Sequence, residues 1–135
     1  MEEHIMATAQ DILVVDDSRV VRKAARRILE RHGFAVREAG DGAEALAACR
    51  AALPRLVLLD WNMPVMDGFE FLKAARAAFG PKEPLIMLCT TESDFERIVA
   101  ALEAGAQEYI MKPFDDAILT GKLAQLGLVS EEAGA

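Results

Sequence analysis

The sequence predicts an α/β domain: a five-stranded parallel sheet, doubly wound with helices on both faces in (βα)5 order. Three observations carry this expectation. Five short apolar runs, ILVV (12–15), FAVREA (34–39), LVLLD (56–60), LIMLC (85–89) and EYIM (108–111), are separated by helix-patterned segments. Runs such as LVLL and LIMLC are continuously apolar rather than alternating, as in strands covered on both faces. The intervening segments open on helix-capping residues. With right-handed crossovers the expected strand order is 2-1-3-4-5, and ligands gather at the carboxyl ends of the strands.

In chain order, the first strand ends in VVDDS. Ser18 caps the first helix, Val21, Ala25, Ile28 and Leu29 form its apolar stripe, and Gly33 stops it. DGAE (41–44) and DGFE (67–70) each pair a capping Asp with a Glu three residues on, and SDFE (93–96) reads as a capping box. Pro81 and Pro84 bracket the turn into the fourth strand. The last helix, from about Asp115 to Leu128, places Leu119, Leu123 and Leu126 on one face, with Gly121 inside it at a cost of about 1 kcal/mol relative to Ala. Residues 11–128 are therefore expected to form one domain, and 1–10 and 129–135 to be loose tails.

The 135 residues carry a net charge of -7, which argues against nucleic-acid binding because phosphate backbones select basic surfaces. The charge is uneven: Arg19, Arg22, Lys23, Arg26, Arg27 and Arg31 stand against Glu30 alone, and the default reading of such a run is a solvated face. The acidic N-terminus does not resemble a signal peptide, and no apolar run approaches the roughly 20 residues of a membrane span, so a cytoplasmic protein is expected. Cys49 and Cys89 lack metal-ligand spacing and are expected to be small buried hydrophobes.

Chemistry-bearing residues collect at the strand ends. Strand one ends in Asp16 and Asp17, strand three in Asp60, strand four in Thr90 and Thr91, and strand five in Lys112 and Pro113. Strands one and three are neighbours in the expected order, so three carboxylates converge. Such a cluster must take up protons or hold a cation, and oxygen ligands with open water positions suit Mg²⁺.

With VVDDS, LLDWNMPVMDG, CTTE and YIMKPF in this order, the chain resembles the receiver domains of two-component response regulators, most closely the single-domain chemotaxis type called CheY. The resemblance covers about Asp11 to Leu128 and implies a flavodoxin/CheY-like fold with Asp60 as phosphoacceptor. It further implies Mg²⁺, with Mn²⁺ as a substitute, held by Asp16, Asp17, Asp60 and the backbone carbonyl of Asn62. Thr90, Thr91 and Lys112 would lie at the phosphoryl group, with Thr90 as the switch hydroxyl and Thr91 restricting access. Tyr109 matches the aromatic that changes rotamer on activation. Pro64, Gly68 and Pro113 shape the turns, with a cis Lys112–Pro113 bond, and Glu92 and Asn62 would influence the attacking water in dephosphorylation.

The implied function is a phosphoacceptor signalling protein rather than an enzyme, leading in chemotaxis or motility, with a phosphorelay shuttle as the alternative. An Asp-nucleophile Mg²⁺-dependent phosphatase is more remote, because that pattern places a second Asp two residues after the nucleophile on strand one. A receiver that has lost phosphorylation ranks last. The expected partners are a histidine kinase or histidine phosphotransfer protein, docking on the Arg-rich helix 19–31, and a target protein at the face of helix four, strand five and helix five. Glu92, Asp94, Glu96, Glu103, Glu108, Asp115 and Asp116 are expected to make that face acidic.

Overall fold

The computed structural model describes residues 11–91 and 95–130. Among these, β1 (Asp11–Val15), β2 (Ala35–Ala39), β3 (Leu56–Asp60), β4 (Leu85–Thr90) and β5 (Glu108–Met111) alternate with α1 (Arg19–Arg31), α2 (Gly42–Ala51), α3 (Gly68–Phe79), α4 (Phe95–Glu103) and α5 (Asp116–Gln125). The strands are parallel in the order β2-β1-β3-β4-β5, as expected. The chain steps from β1 to β2 on one side and from β2 to β3 on the other, so the switch in strand order falls between β1 and β3.

The three inner strands β1, β3 and β4 are buried on both faces because each face has its own helices, while the edge strands β2 and β5 are only partly covered. Leu13, Val15, Val57, Leu59, Ile86 and Leu88 pack with α2, α3 and Ala101 of α4. The alternate residues Ile12, Val14, Leu56, Leu58, Met87, Cys89 and Ile110 pack with α1 and α5. Cys49 and Cys89 are buried free thiols, and burial pushes them up to about 11 and about 12 respectively. Among the described residues no helix is long and apolar enough to cross a membrane.

The capping signals are largely realised. Ser18 Oγ accepts from Val21 N, His32 closes α1, and Gly33 follows at φ 87°. Asp67 and Glu70 form the reciprocal capping box of α3, at 2.9 and 2.8 Å. In α2 the reciprocity is incomplete: Asp41 accepts from Glu44 N, but the Glu44 carboxylate accepts from Gly40 N instead of the cap's own amide. The SDFE box reaches back to Ser93 and Asp94, which lie outside the described residues. In α5 Leu119 and Leu123 are fully buried and the helix runs unbroken through Gly121.

The basic run on α1 is only partly a solvated face. Arg22, Lys23 and Arg26 all donate to the carboxylate of Glu38 on β2, while Arg31 pairs with Asp116 at 2.9 Å. Burial raises the Glu38 carboxyl, but hydrogen bonds from Lys23, Arg26 and Arg22 outweigh it and lower it from its ordinary 4.5 to about 2. A depressed carboxyl stabilises the fold fully above the unfolded-state value, and that contribution disappears as the pH falls through the folded-state value. Glu38→Gln is therefore expected to flatten the loss of stability between about pH 4.5 and pH 2, read from urea midpoints across that range.

Two glycines make opposite predictions. A Cβ on Gly68 would collide with the Asp60 carbonyl and sit 2.9 Å from Trp61 Cα, whereas a Cβ on Gly121 meets nothing within 4 Å. Gly68→Ala is expected to cost about 1–3 kcal/mol by overpacking. Gly121→Ala is expected to gain roughly 0.5–1 kcal/mol of helix stability. Denaturant midpoints of the two variants check both signs.

Candidate cation and phosphoacceptor site

The site is built where β1 and β3 end side by side. Val15 pairs with Leu59, and Asp16 N donates to Ala39 O at 3.1 Å, continuing the ladder to β2 for one more residue. Asp16 is thereby held level with Asp60, and both are buried although charged. Asp17, next in the chain, turns outward and is exposed. One oxygen from each of the three carboxylates lies within 4.8 Å of the others.

Lys112 supplies the opposing charge. Its Nζ donates to Asp16 Oδ2 at 3.1 Å and to Asp60 Oδ1 at 3.3 Å. Burial disfavours the ammonium, but bonding to Asp16 and the charge of Asp60 outweigh that and hold its pKa above the ordinary value. The Asp60 carboxyl is also raised, first by burial and then by the charge of Asp16, against the opposing pull of Lys112 and the Trp61 amide. One ammonium against three carboxylates leaves an excess of two negative charges in the pocket. An all-oxygen donor set with that excess fits a hard divalent cation such as Mg²⁺.

Hydrogen bonds orient the carboxylates. Asp16 Oδ1 accepts from Ser18 N at 2.9 Å, so the residue that caps α1 also fixes the acidic loop. Asp60 Oδ1 accepts from Trp61 N at 2.9 Å as well as from Lys112. The loop behind Asp60 is anchored by Gly68 N donating to Trp61 O at 2.8 Å and Gly42 N donating to Met66 O at 2.9 Å. Between these anchors Val65, fully on the surface, has φ 69°, a left-handed conformation that costs a β-branched residue about 1–2 kcal/mol. Asn62 and Pro64 line a shallow depression with Asp17, Met63 and Asp67.

The remaining strand-end residues are arranged around this centre. Thr90 is buried at the end of β4, and its carbonyl accepts from Lys112 N at 2.8 Å. Thr91 is exposed and, with Lys112, Pro113 and Phe114, lines a cavity of about 350 Å³ against Val20, Val21, Ala24, Ala25 and Ile28 of α1. The Lys112–Pro113 bond is cis. Tyr109 is half-buried on β5, with Lys122 Nζ 4.5 Å from its ring centroid. Of the acidic residues expected near α4, β5 and α5, Glu108 is neutralised by Lys122 at 3.2 Å. Asp116 is turned to α1, where Arg31 and His32 bond it, and Thr120 one turn on in α5 also donates to it. Glu92 and Asp94 lie outside the described residues.

Sequence reasoning missed several contacts at the site. Trp61 stacks on Phe69, with centroids 5.3 Å apart, and Arg97 of α4 lies over the Trp61 ring at 5.2 Å. Arg22 of α1 donates from Nη1 to the Asp16 carbonyl at 2.7 Å. None of these pairs has a local spacing signal.

Fold and pocket together define a doubly wound domain whose clustered carboxylates at the strand ends fit an oxygen-liganded cation. The receiver-domain profile of response regulators matches residues 12–124, and the chain belongs to that family of two-component signalling proteins, in which phosphorylation and Mg²⁺ binding at an acidic pocket are typical. It is 40% identical over 118 residues to the transcriptional regulatory protein CseB of Streptomyces avermitilis, covering 87% of this chain and 49% of CseB. It is 45% identical over 103 residues to the response regulator MprA of Mycolicibacterium vanbaalenii, covering 76% and 44%. The chain thus spans about half the length of these curated relatives. Among solved structures it is similar to the chemotaxis protein CheY4 of Vibrio cholerae, with TM-score 0.80, 37% identity and coverage of 85% of this chain and 96% of that one. It is also similar to a chain of the CheX-CheY-BeF3-Mg complex of Borrelia burgdorferi, with TM-score 0.81, 27% identity and coverage of 87% and 88%.

A buried carboxylate facing a second one lowers stability in the absence of a cation. Asp60→Asn is therefore expected to stabilise the protein in EDTA, by about 0.5–2 kcal/mol as is common when a functional strain is removed. A urea midpoint below that of the unchanged protein would contradict this.

Proposed function

We propose that the protein is a Mg²⁺-dependent phosphoacceptor whose Asp60 takes a phosphoryl group from a phosphohistidine of a kinase or phosphotransfer protein. The observation that carries the reading is the convergence of Asp16, Asp17 and Asp60 at the β1/β3 switch point, with Lys112 bonded to Asp16 and Asp60. Asp16, Asp17, Asp60 and the Asn62 carbonyl would hold the cation, with Mn²⁺ as a substitute. When bound, it neutralises negative charge on the pocket and on the phosphoryl oxygens.

Asp60 supplies the nucleophile. Its Oδ1 is occupied by Lys112 and the Trp61 amide, and Oδ2 has no hydrogen bond among the described residues. A carboxylate oxygen forms a bond to phosphorus as the donor's N–P bond breaks, giving an acyl phosphate and a free imidazole. Lys112 pairs with a phosphoryl oxygen, and the Thr90 hydroxyl is drawn to another, carrying with it the segment after β4. Tyr109 then moves into the space vacated. Thr91 at the cavity mouth restricts entry, and Asn62 and Glu92 influence the water that hydrolyses the acyl phosphate.

The donor docks on α1, where Arg19 and Arg27 make no ion pair among the described residues and flank an apolar stretch containing Val20 and Ala24. The target binds across α4, β5 and α5, where Phe95 is 75% and Ile118 49% exposed. The working unit runs from Asp11 to Leu128, and the reading places it in the cytoplasm, with chemotaxis or motility as the leading role and a phosphorelay shuttle as the variant. Likeness to chemotaxis proteins and the DWNMP segment support that role. The CseB relatives, named as transcriptional regulatory proteins, favour a second reading, the receiver portion of a transcriptional regulator.

Trp61, the one tryptophan, reports on the site directly. Mg²⁺ is expected to change its emission, and acetyl phosphate or beryllofluoride to change it further. Asp60→Asn should abolish the second response and the acid-stable, hydroxylamine-labile label on the protein. Catalytic turnover of small phosphomonoesters without a stoichiometric label would instead indicate a phosphatase.

A further inference from the structure

The three cations on Glu38 are not equivalent. Lys23 Nζ and Arg26 Nη1 both reach Glu38 Oε2 and bond nothing at the site. Arg22 does both: its Nε donates to Glu38 Oε1 at 2.9 Å and its Nη1 to the Asp16 carbonyl at 2.7 Å. The side chain is largely enclosed, with 19% of its surface exposed against 46% for Lys23. A planar guanidinium spanning two acceptors fixes their separation in a way an ammonium does not.

The Asp16 carbonyl sits on the peptide that joins Asp16 to Asp17. Three hydrogen bonds fix this segment: Asp16 N donates to the β2 ladder, Asp16 Oδ1 accepts from Ser18 N, and Asp16 O accepts from Arg22. The first holds Asp16 itself, and the second closes a turn across Asp17. Of the three, the third is the one made to an atom of the Asp16–Asp17 peptide, whose plane aims the exposed Asp17 carboxylate toward its partners. We infer that Arg22, clamped by Glu38, is a positioning residue for the cation pocket, setting the Asp16–Asp17 peptide so that both carboxylates converge on Asp60.

The inference rests on the Mg²⁺-phosphoacceptor reading, and electrostatics gives it a sharp test. As a charge alone, Arg22 repels a divalent cation, so its removal would tighten Mg²⁺ binding. As a positioning group, its removal loosens binding, by about tenfold for one charge-assisted hydrogen bond. The experiment titrates Mg²⁺ into the full chain and follows Trp61 emission, with the Mg²⁺-dependent rise of the urea midpoint as an independent measure of the dissociation constant.

Arg22→Gln is expected to raise that constant about tenfold. Arg22→Lys keeps the charge without the fork and should resemble Gln. Arg26→Gln also removes a partner of Glu38 but no contact to Asp16, and should stay within about twofold of the unchanged protein. Glu38→Gln releases the far anchor and should weaken binding in the same direction by less, which keeps the test decisive if Arg22→Gln does not fold.

Unchanged or tighter Mg²⁺ binding in the Arg22 and Glu38 variants overturns the inference, as does full recovery in Arg22→Lys. Equal losses in Arg22→Gln and Arg26→Gln overturn it too, because they would reflect general weakening of α1. No Mg²⁺ response in the unchanged protein would instead refute the underlying reading of the pocket.

Discussion

Crowding of like charge is the constraint on which the rest of the molecule depends. Asp16, Asp17 and Asp60 present oxygens within 4.8 Å of one another, and among the described residues Lys112 is the one cation paired with them, at Asp16 and Asp60. At about 4 Å each like-charge pair costs roughly 4 kcal/mol at an effective dielectric near 20, so the arrangement persists only if the surrounding structure enforces it. The two central strands do so. From Ile12 in β1 and from Leu56 in β3, each is apolar and buried up to the residue before its acid, and their registration places Val15 opposite Leu59. The hydrophobic interior thus holds the carboxylates in a geometry they would not adopt alone.

Rigidity beneath the site is matched by strain beside it. The loop leaving Asp60 is tied at Gly68 to Trp61 and at Met66 to Gly42, while Val65 between them is forced to φ 69°. Gly68 is required for a steric reason unrelated to turn preference: the first turn of α3 lies against the Asp60 and Trp61 backbone with no space for a Cβ. A capping box at Asp67 and Glu70 starts that helix directly behind the loop. Strain of this kind is tolerated where neighbouring structure over-determines the backbone, a condition met at functional loops.

Legibility in the sequence followed range. Asp16, Asp60, Thr90 and Lys112 were legible because each follows an apolar run and the strand order brings the run ends to one edge. The Asp67–Glu70 box was legible because its partners are three residues apart. The α1 basic run was misjudged by the same locality: its partner Glu38 lies on another element, and Asp116, assigned by number to the far face, bonds across to Arg31 and His32. Arg97 over Trp61 and Arg22 on the Asp16 carbonyl join residues 36 and 6 positions apart at no periodic spacing.

By itself the sequence determined the five βα units, the double burial of the three inner strands and the identity of the groups that end them, because apolar patterning and capping act within a few residues. Tertiary structure alone decided which charges neutralise which. It shared Lys112 between Asp16 and Asp60, gathered three cations of α1 on Glu38 and left Asp17 facing solvent. Ion pairing is set by distance in space and by burial, and neither exists until the sheet has brought remote segments together.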